Sequence, residues 1–486
     1  MNAKQLKKLL SLHRSFGTVL GILVLLWALT GVLHPIMSAT QPQPVKRMPP
    51  SQQLDLHAAI PANQVLQQQN IQQFSALQTI QLTPEQVTYR ILKPKQNIAE
   101  YYDSRTGQII KNAEQFNVIR LANWYTGLSK RQVVSAQIIT SFSDDYPSVN
   151  RLLPVWRVNY DNGLRAYVDP SQSRLATLSN DQKMWMAKIF RLGHTWTWGD
   201  QPWKGQSLIM QFTLIGILCL VFMGFRLFFK IHNRKNHRLR QKPIRFLHRY
   251  LAISLSTFIL LWVISGFYHI WNKKSEIPVF NSIFHAQDLS PDAWKRATQH
   301  PVQGLSIVPI TFGLDRSHAA WLIQSAGKPQ LQGSMTAANE HDHHRHSNDT
   351  APAIEMIDAQ SAEDLDVLEQ SKNLAASYLN LSIHQFKQAT LITSFGGEYG
   401  FINKRLPVVK VETSLSNQLR VYIEPSSGVI AAQVTQQDAL EGFSFAYLHK
   451  WTWLPIDKTL RDILLPTIAG LIALLVILGF FIRAKR

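Results

Sequence analysis

Apolar positions gather along this chain in four unbroken runs, at 16–37, 207–224, 250–271 and 463–482, each 18 to 22 residues long and without a Lys, Arg, Asp or Glu. A hydrocarbon layer of about 30 Å takes around 20 helical residues to cross, so the pattern predicts four membrane-spanning helices. Their bounds read as 15–37, 205–228, 247–271 and 461–482. The long stretches between them, 38–204 and 272–460, have the mixed patterning of folded α+β domains. Segments 164–168 and 419–423 group β-formers ahead of Asp-Pro-Ser and Glu-Pro-Ser-Ser-Gly turns, while 362–379 and 382–390 carry helical spacing.

The pattern also repeats. Leu12-His13-Arg14, Leu26-Trp27, Gly31 and His34 recur 235 residues later as Leu247-His248-Arg249, Leu261-Trp262, Gly266 and His269. Thr140-Ser141-Phe142, Tyr146, Asn150 and Leu153-Pro154-Val155 recur 253 residues later as Thr393-Ser394-Phe395, Tyr399, Asn403 and Leu406-Pro407-Val408. Tyr167-Val168-Asp169-Pro170 pairs with Tyr422-Ile423-Glu424-Pro425, and His194-Thr195-Trp196-Thr197-Trp198 with His449-Lys450-Trp451-Thr452-Trp453. So many matches in one order predict a helix–domain–helix unit present twice in tandem, its four helices related by a pseudo-two-fold axis along the membrane normal. The segment 336–351, with its Glu-His-Asp-His-His-Arg-His tract, has no counterpart in the first half and reads as an insertion.

Charge decides orientation. Sixteen of the formal +19 fall at Lys4, Lys7, Lys8 and Arg14, at nine Lys and Arg between Arg226 and Arg249, and at Arg483, Lys485 and Arg486, with no acidic residue among them. Every one flanks a membrane helix, which is the positive-inside pattern and leaves little for nucleic acid. It predicts an N-terminus at 1–14, a basic loop at 229–246 and a C-terminus at 483–486, all cytoplasmic. The two domains then lie outside, periplasmic in the inner membrane of a Gram-negative bacterium. Met37-Ser38-Ala39 is a poor cleavage site, so the first run reads as an uncleaved anchor. The single Cys219 excludes an intrachain disulfide or a thiolate cluster.

Three histidines recur within the repeat: His13, His34 and His194, then His248, His269 and His449. Ionisable groups at membrane depth are costly and usually functional. His13 and His34 stand 21 residues apart, about 31 Å along a helix, so one lies toward each face. The axis brings His13 opposite His248 at the cytoplasmic face and gathers His34, His194, His269 and His449 at the outer one. Opposed neutral imidazoles in a helical bundle are the axial ligands of six-coordinate haem iron. One assignment puts one haem on His13 and His248 and a second on two of the outer four; another puts both haems toward the outer face. Trp27 and Trp262 lie between the two levels. His341, His343, His344 and His346 of the insertion form a weaker candidate for Zn²⁺, Cu²⁺ or Ni²⁺. Asp144, Asp145 and Glu398 beside the repeated tyrosines read chiefly as turn residues, and His232 and His237 as juxtamembrane ones.

The Leu-His-Arg starts, the Leu-Pro-Val and Tyr-Val-Asp-Pro or Tyr-Ile-Glu-Pro segments and the His before the second and fourth helices resemble the PepSY-associated transmembrane helix family, over essentially the whole chain. The resemblance implies PepSY-like external domains in an iron-regulated inner-membrane protein. Some members resemble ferrioxamine-type ferrisiderophore reductases with two b-type haems on four helices, which implies electron transfer to a ferric siderophore in the periplasm. It implies that the six repeated histidines carry the haem ligands; the insertion departs from the family pattern. The cytoplasmic pieces are too short for a dinucleotide or flavin domain, so a quinol or a separate cytoplasmic reductase must be the donor. No P-loop, nucleophile–base pair or H-E-x-x-H supports ATP-driven transport or hydrolysis. The alternatives are a non-redox membrane regulator whose PepSY-like domains bind or inhibit a periplasmic partner, and a permease, for which the helices have few polar breaks.

Overall fold

The computed structural model describes residues 2–51, 53–197, 205–232, 243–272, 277, 282–311, 317–325 and 353–484. The His-rich tract with His341, His343, His344 and His346, and His237 of the basic loop, lie outside the described residues. The chain is mixed α/β and divides into a helical unit (Met1–Gln41, Asp181–Lys274, Gln437–Arg486) and a β-rich unit (Pro42–Asn180, Ser275–Gln436).

Among the described residues, the helical unit has four helices long and apolar enough to cross a membrane: Ala3–Thr40, Gln206–His232, Pro243–Trp271 and Lys458–Ala484. They are called here the first to fourth long helices. The first packs against the second and fourth, and the third packs against the same two. Ala28, Leu255, Ile468, Ile472, Ala473 and Leu475 form an apolar seam among them. Close approach is set by small residues. A Cβ on Gly21 would sit 3.1 Å from the Phe480 ring, and one on Gly216 3.0 Å from Leu20. The first helix begins twelve residues before the helix read at 15–37. Asn2 and Gln5 form a reciprocal capping box, each bond 2.9 Å, and Lys, Leu and Gln are good helix formers, so the basic end is helical too.

In the β-rich unit, two four-stranded antiparallel meanders have the same order. One runs through Val133–Ile139, Val155–Tyr160, Arg165–Asp169 and Arg174–Ser179; the other through Phe386–Ile392, Val408–Thr413, Arg420–Glu424 and Val429–Val434. A helix covers one face of each. Ala113–Thr126 lays Val118, Leu121, Ala122 and Tyr125 on the first, and Val367–Leu379 lays Leu374, Ala375 and Ala376 on the second. Backbone peculiarities recur at matching places. Leu153–Pro154 and Leu406–Pro407 are both cis, and Arg151 and Lys404 are both left-handed, at φ 59° and 60°. The Tyr146 hydroxyl donates to the Leu152 carbonyl (3.0 Å) and the Tyr399 hydroxyl to the Arg405 carbonyl (2.9 Å).

The stretches read as 38–204 and 272–460 are not separate bodies. An eight-stranded sheet runs through both, joined where Ala76–Thr83 pairs with Gly304–Thr311 at Gln78 and Ser306. The Leu305 amide donates to the Thr79 hydroxyl there (2.9 Å). Between the meanders, Arg174 reaches Asp169 (2.8 Å) and Glu424 (2.6 Å), and Arg405 reaches Glu424 as well (2.5 Å). Two helical readings need correction. The helix at 362–379 starts only at Val367, where the Asp366 side chain caps the amides of Leu368 and Glu369. The segment 382–390 is a short 3-10 turn followed by strand Phe386–Ile392, because Phe386, Ala389 and Thr390 find pairing on Val408–Thr413.

Candidate functional site

Two segments of the helical unit deliver the histidines that precede the second and fourth long helices, and each is clamped the same way. The helix Asp181–Gly193 ends at His194, and the Trp27 indole of the first long helix donates to the His194 carbonyl (2.8 Å). The helix Gln436–Ser444 passes into a π-turn over Phe445–His449, and the Trp262 indole of the third donates to the His449 carbonyl (2.9 Å). Two residues on, the chain turns left-handed at Trp196 and at Trp451, both at φ 51°. This lays Trp196 flat on Trp27, with ring centroids 4.6 Å apart, and Trp451 on Trp262, 5.3 Å apart. Trp196 and Trp451 are fully buried, so the recurring His-x-Trp is a latch: the tryptophan anchors and the histidine is presented. On the first side the approach is tight enough to require glycine. A Cβ on Gly193 would lie 2.4 Å from Thr30 Cγ2.

The six repeated histidines fall into two neighbourhoods. His13 and His248 lie within electrostatic reach of each other. A Cβ on Gly224 would meet His13 Cε1 at 3.7 Å, and one on Gly479 would meet His248 Cε1 at 3.3 Å, so each ring lies on a glycine of a neighbouring helix. His449 lies within electrostatic reach of His194, His269 and His34. A phenylalanine stands beside two histidines in each half. Phe190 stacks on His194 (4.7 Å) and tilts against His34 (5.8 Å), and Phe445 stacks on His449 (4.7 Å) and tilts against His269 (5.1 Å). The arrangement does not sort the second group into pairs.

The imidazole nitrogens are not equivalent. His248 Nδ1 bonds the Leu475 carbonyl at 3.1 Å, and His269 Nδ1 bonds the carboxylate of buried Glu441. In His13, His194 and His449 the sealed, unpartnered nitrogen is Nδ1 and not Nε2. Burial pulls the His194 imidazole down to about 4, the nearby Trp27 backbone opposing it and His34 adding to it. Burial, reinforced by the neighbouring His194, His269, Lys450 and His34, pulls His449 down to about 3. Both rings are therefore neutral at physiological pH, the form that binds a metal. Lys450 lies within electrostatic reach of His34 and His449, Lys458 pairs with Asp462 (2.5 Å) near His34, and the buried Arg461 Nη1 has no partner.

Glu441, Phe190 and Phe445 escape a reading of the sequence alone; the two latch tryptophans, Trp196 and Trp451, carried a signal as members of the repeated motif. Glu398 is occupied within the β-rich unit, accepting from the Tyr422 hydroxyl (2.7 Å) and Arg420 Nε (2.8 Å), and Asp145 pairs with Arg157 at 3.7 Å. Both are tied to strand residues, Glu398 to Arg420–Glu424 and Asp145 to Val155–Tyr160. Among the described residues no three His, Cys, Asp or Glu side chains gather as a bare metal-ion site, whereas porphyrin iron asks the protein for two imidazoles only. Comparison with family models and with curated proteins finds no match for the chain.

Proposed function

We propose that this chain is a bacterial inner-membrane electron-transfer protein with two b-type haems, reducing a ferric siderophore on the periplasmic side for iron acquisition. On this reading the chain is a tandem repeat with two PepSY-like regions outside and both termini in the cytoplasm. The net step is one electron per iron, Fe³⁺ to Fe²⁺, drawn from a quinol or a separate cytoplasmic reductase. Reduction weakens the complex because the hard oxygen donors of such chelators favour Fe³⁺.

The observation that carries the reading is the orientation of the imidazoles. In five of the six, Nδ1 is bonded to a neighbour or sealed, which leaves Nε2 as the nitrogen that would hold a haem iron. Burial keeps His194 and His449 neutral, and the recurring glycines beside His13 and His248 give their rings room. Lys450, within electrostatic reach of His34 and His449, and Arg461 near it offer the positive charge that porphyrin propionates need at low dielectric, while Lys458 is paired with Asp462. Bound haem would supply one-electron chemistry, with its potential set by ligand identity, burial and hydrogen bonding.

The test is a dithionite-reduced minus air-oxidised visible spectrum of the detergent-purified full chain, with haem quantified per chain. Sharp b-type bands at about two haems per chain are expected. Absence of haem from protein made with adequate haem supply would overturn the reading and leave a partner-binding regulator as the better account.

A further inference from the structure

Resting on the haem reading, one buried carboxylate makes the two halves of the helical unit unequal. Glu441 is 3% exposed and accepts a hydrogen bond from His269 Nδ1, while the His269 side chain is half exposed. Its helix is held to the end of the third long helix by two further contacts. The Asn272 amide donates to Asp438 Oδ1 (3.1 Å), and the Tyr268 hydroxyl donates to the Gln437 carbonyl (3.5 Å). Counting back from the matched pair His194 and His449, the position of Glu441 corresponds to Met186. Phe190 and Phe445 correspond in the same way, each beside the histidine of a long helix. The position that holds a carboxylate for His269 is thus held by a thioether, Met186, in the segment beside His34.

We infer that Glu441 is a positioning residue which holds His269 with its proton on Nδ1 and its Nε2 lone pair turned to a haem iron, and thereby lowers the potential of that haem relative to the other. A carboxylate behind a ligating imidazole fixes the tautomer and the ring plane and increases the electron donation of the distal nitrogen, which favours Fe³⁺ over Fe²⁺. Burial of Glu441 strengthens the effect, since its charge is little screened by solvent. A pair serving only to staple the helix Gln436–Ser444 to the third long helix would leave a haem potential where it was.

The experiment is a redox titration of the purified full-length holoprotein, followed at the haem bands, for wild type, E441Q and E441D. E441Q keeps an acceptor of the same shape and removes the charge. One of the two midpoint potentials is expected to rise with the other unmoved, and E441D is expected to return the shifted component toward wild type. Loss of one haem in E441Q with retention in E441D supports the same role. Unmoved potentials in E441Q at full haem content, or equal behaviour of E441Q and E441D, would overturn it while leaving the haem reading standing. A wild-type protein without haem overturns both.

Discussion

The segments that present His194 and His449 are built on one plan and finished differently. Each hangs its histidine carbonyl on a tryptophan of a long helix, turns left-handed two residues later and closes with a stacked, buried indole. The first segment approaches its long helix through Gly193 and runs as a regular α-helix to its end. The second has Leu448 at the matching position and takes up the larger side chain in a π-turn over Phe445–His449. Such single-turn widenings often accompany functional sites. Only the second carries a buried carboxylate, Glu441. The comparison separates two kinds of residue: the latch, which both halves keep, and the group behind the imidazole, which only one possesses.

Breaking the latches should give the largest effect. Trp451→Ala and Trp196→Ala each remove a fully buried indole and its stack on a partner tryptophan. Each is expected to cost about 3–5 kcal/mol, read as a fall in the thermal midpoint of the detergent-solubilised chain by circular dichroism. Comparable losses mean that the latches are equivalent. A mild Trp196→Ala beside a severe Trp451→Ala would show that the first segment is held mainly by the Gly193 contact.

The β-rich unit shows the same inequality between matched positions, and pH exposes it. Asp169 and Glu424 end the third strands of the two meanders, yet Arg174 touches both while Arg405 forms an ion pair with Glu424. Burial pushes the Glu424 carboxyl up, but Arg174 and Arg405 outweigh it and hold the group at about 2, against an ordinary 4.5. A carboxylate depressed on folding contributes stability that is whole above the unfolded value and is lost as pH falls through the folded one. The window therefore runs from pH 4.5 down to about 2, and the contribution is about 3 kcal/mol. Glu424→Gln should lose that amount at pH 7 and flatten the acid limb of a denaturant-midpoint series. An acid limb identical to wild type would mean that Asp169 alone anchors Arg174.

What could be read from the sequence follows from how local each signal is. The four long helices announce themselves because a bilayer imposes about 20 contiguous apolar residues, and the histidines because they recur in register. Glu441 carried no signal, since an acid in an amphipathic segment reads as a surface residue until its partner, 172 positions away, is known. The shared sheet was equally hidden: Gln78 and Ser306 pair across nearly half the length of the chain, and alternation along a strand does not say which edge it will meet. Segment 382–390 misled because its spacing fits both periods, and the neighbouring strand decided between them.

The smallest effect probes the end of the helical unit where the halves look most alike. His13 and His248 each rest on a glycine, but the clearances differ: an added Cβ would lie 3.7 Å from His13 Cε1 at Gly224 and 3.3 Å from His248 Cε1 at Gly479. The first is an ordinary van der Waals contact, so Gly224→Ala is expected to gain the usual helical advantage of alanine, about 0.5–1 kcal/mol. The second is too tight without movement, and His248 is not free to give way, because Nδ1 bonds the Leu475 carbonyl one turn earlier on the same helix as Gly479. In Gly479→Ala the gain and the displacement of the ring should nearly cancel, leaving the thermal midpoint at or below that of wild type. Equal stabilisation by both substitutions would show that the His248 contact yields as readily as that of His13. A stabilised Gly224→Ala beside a neutral or weakened Gly479→Ala would show that the Leu475 bond fixes one imidazole of this pair more firmly than the other.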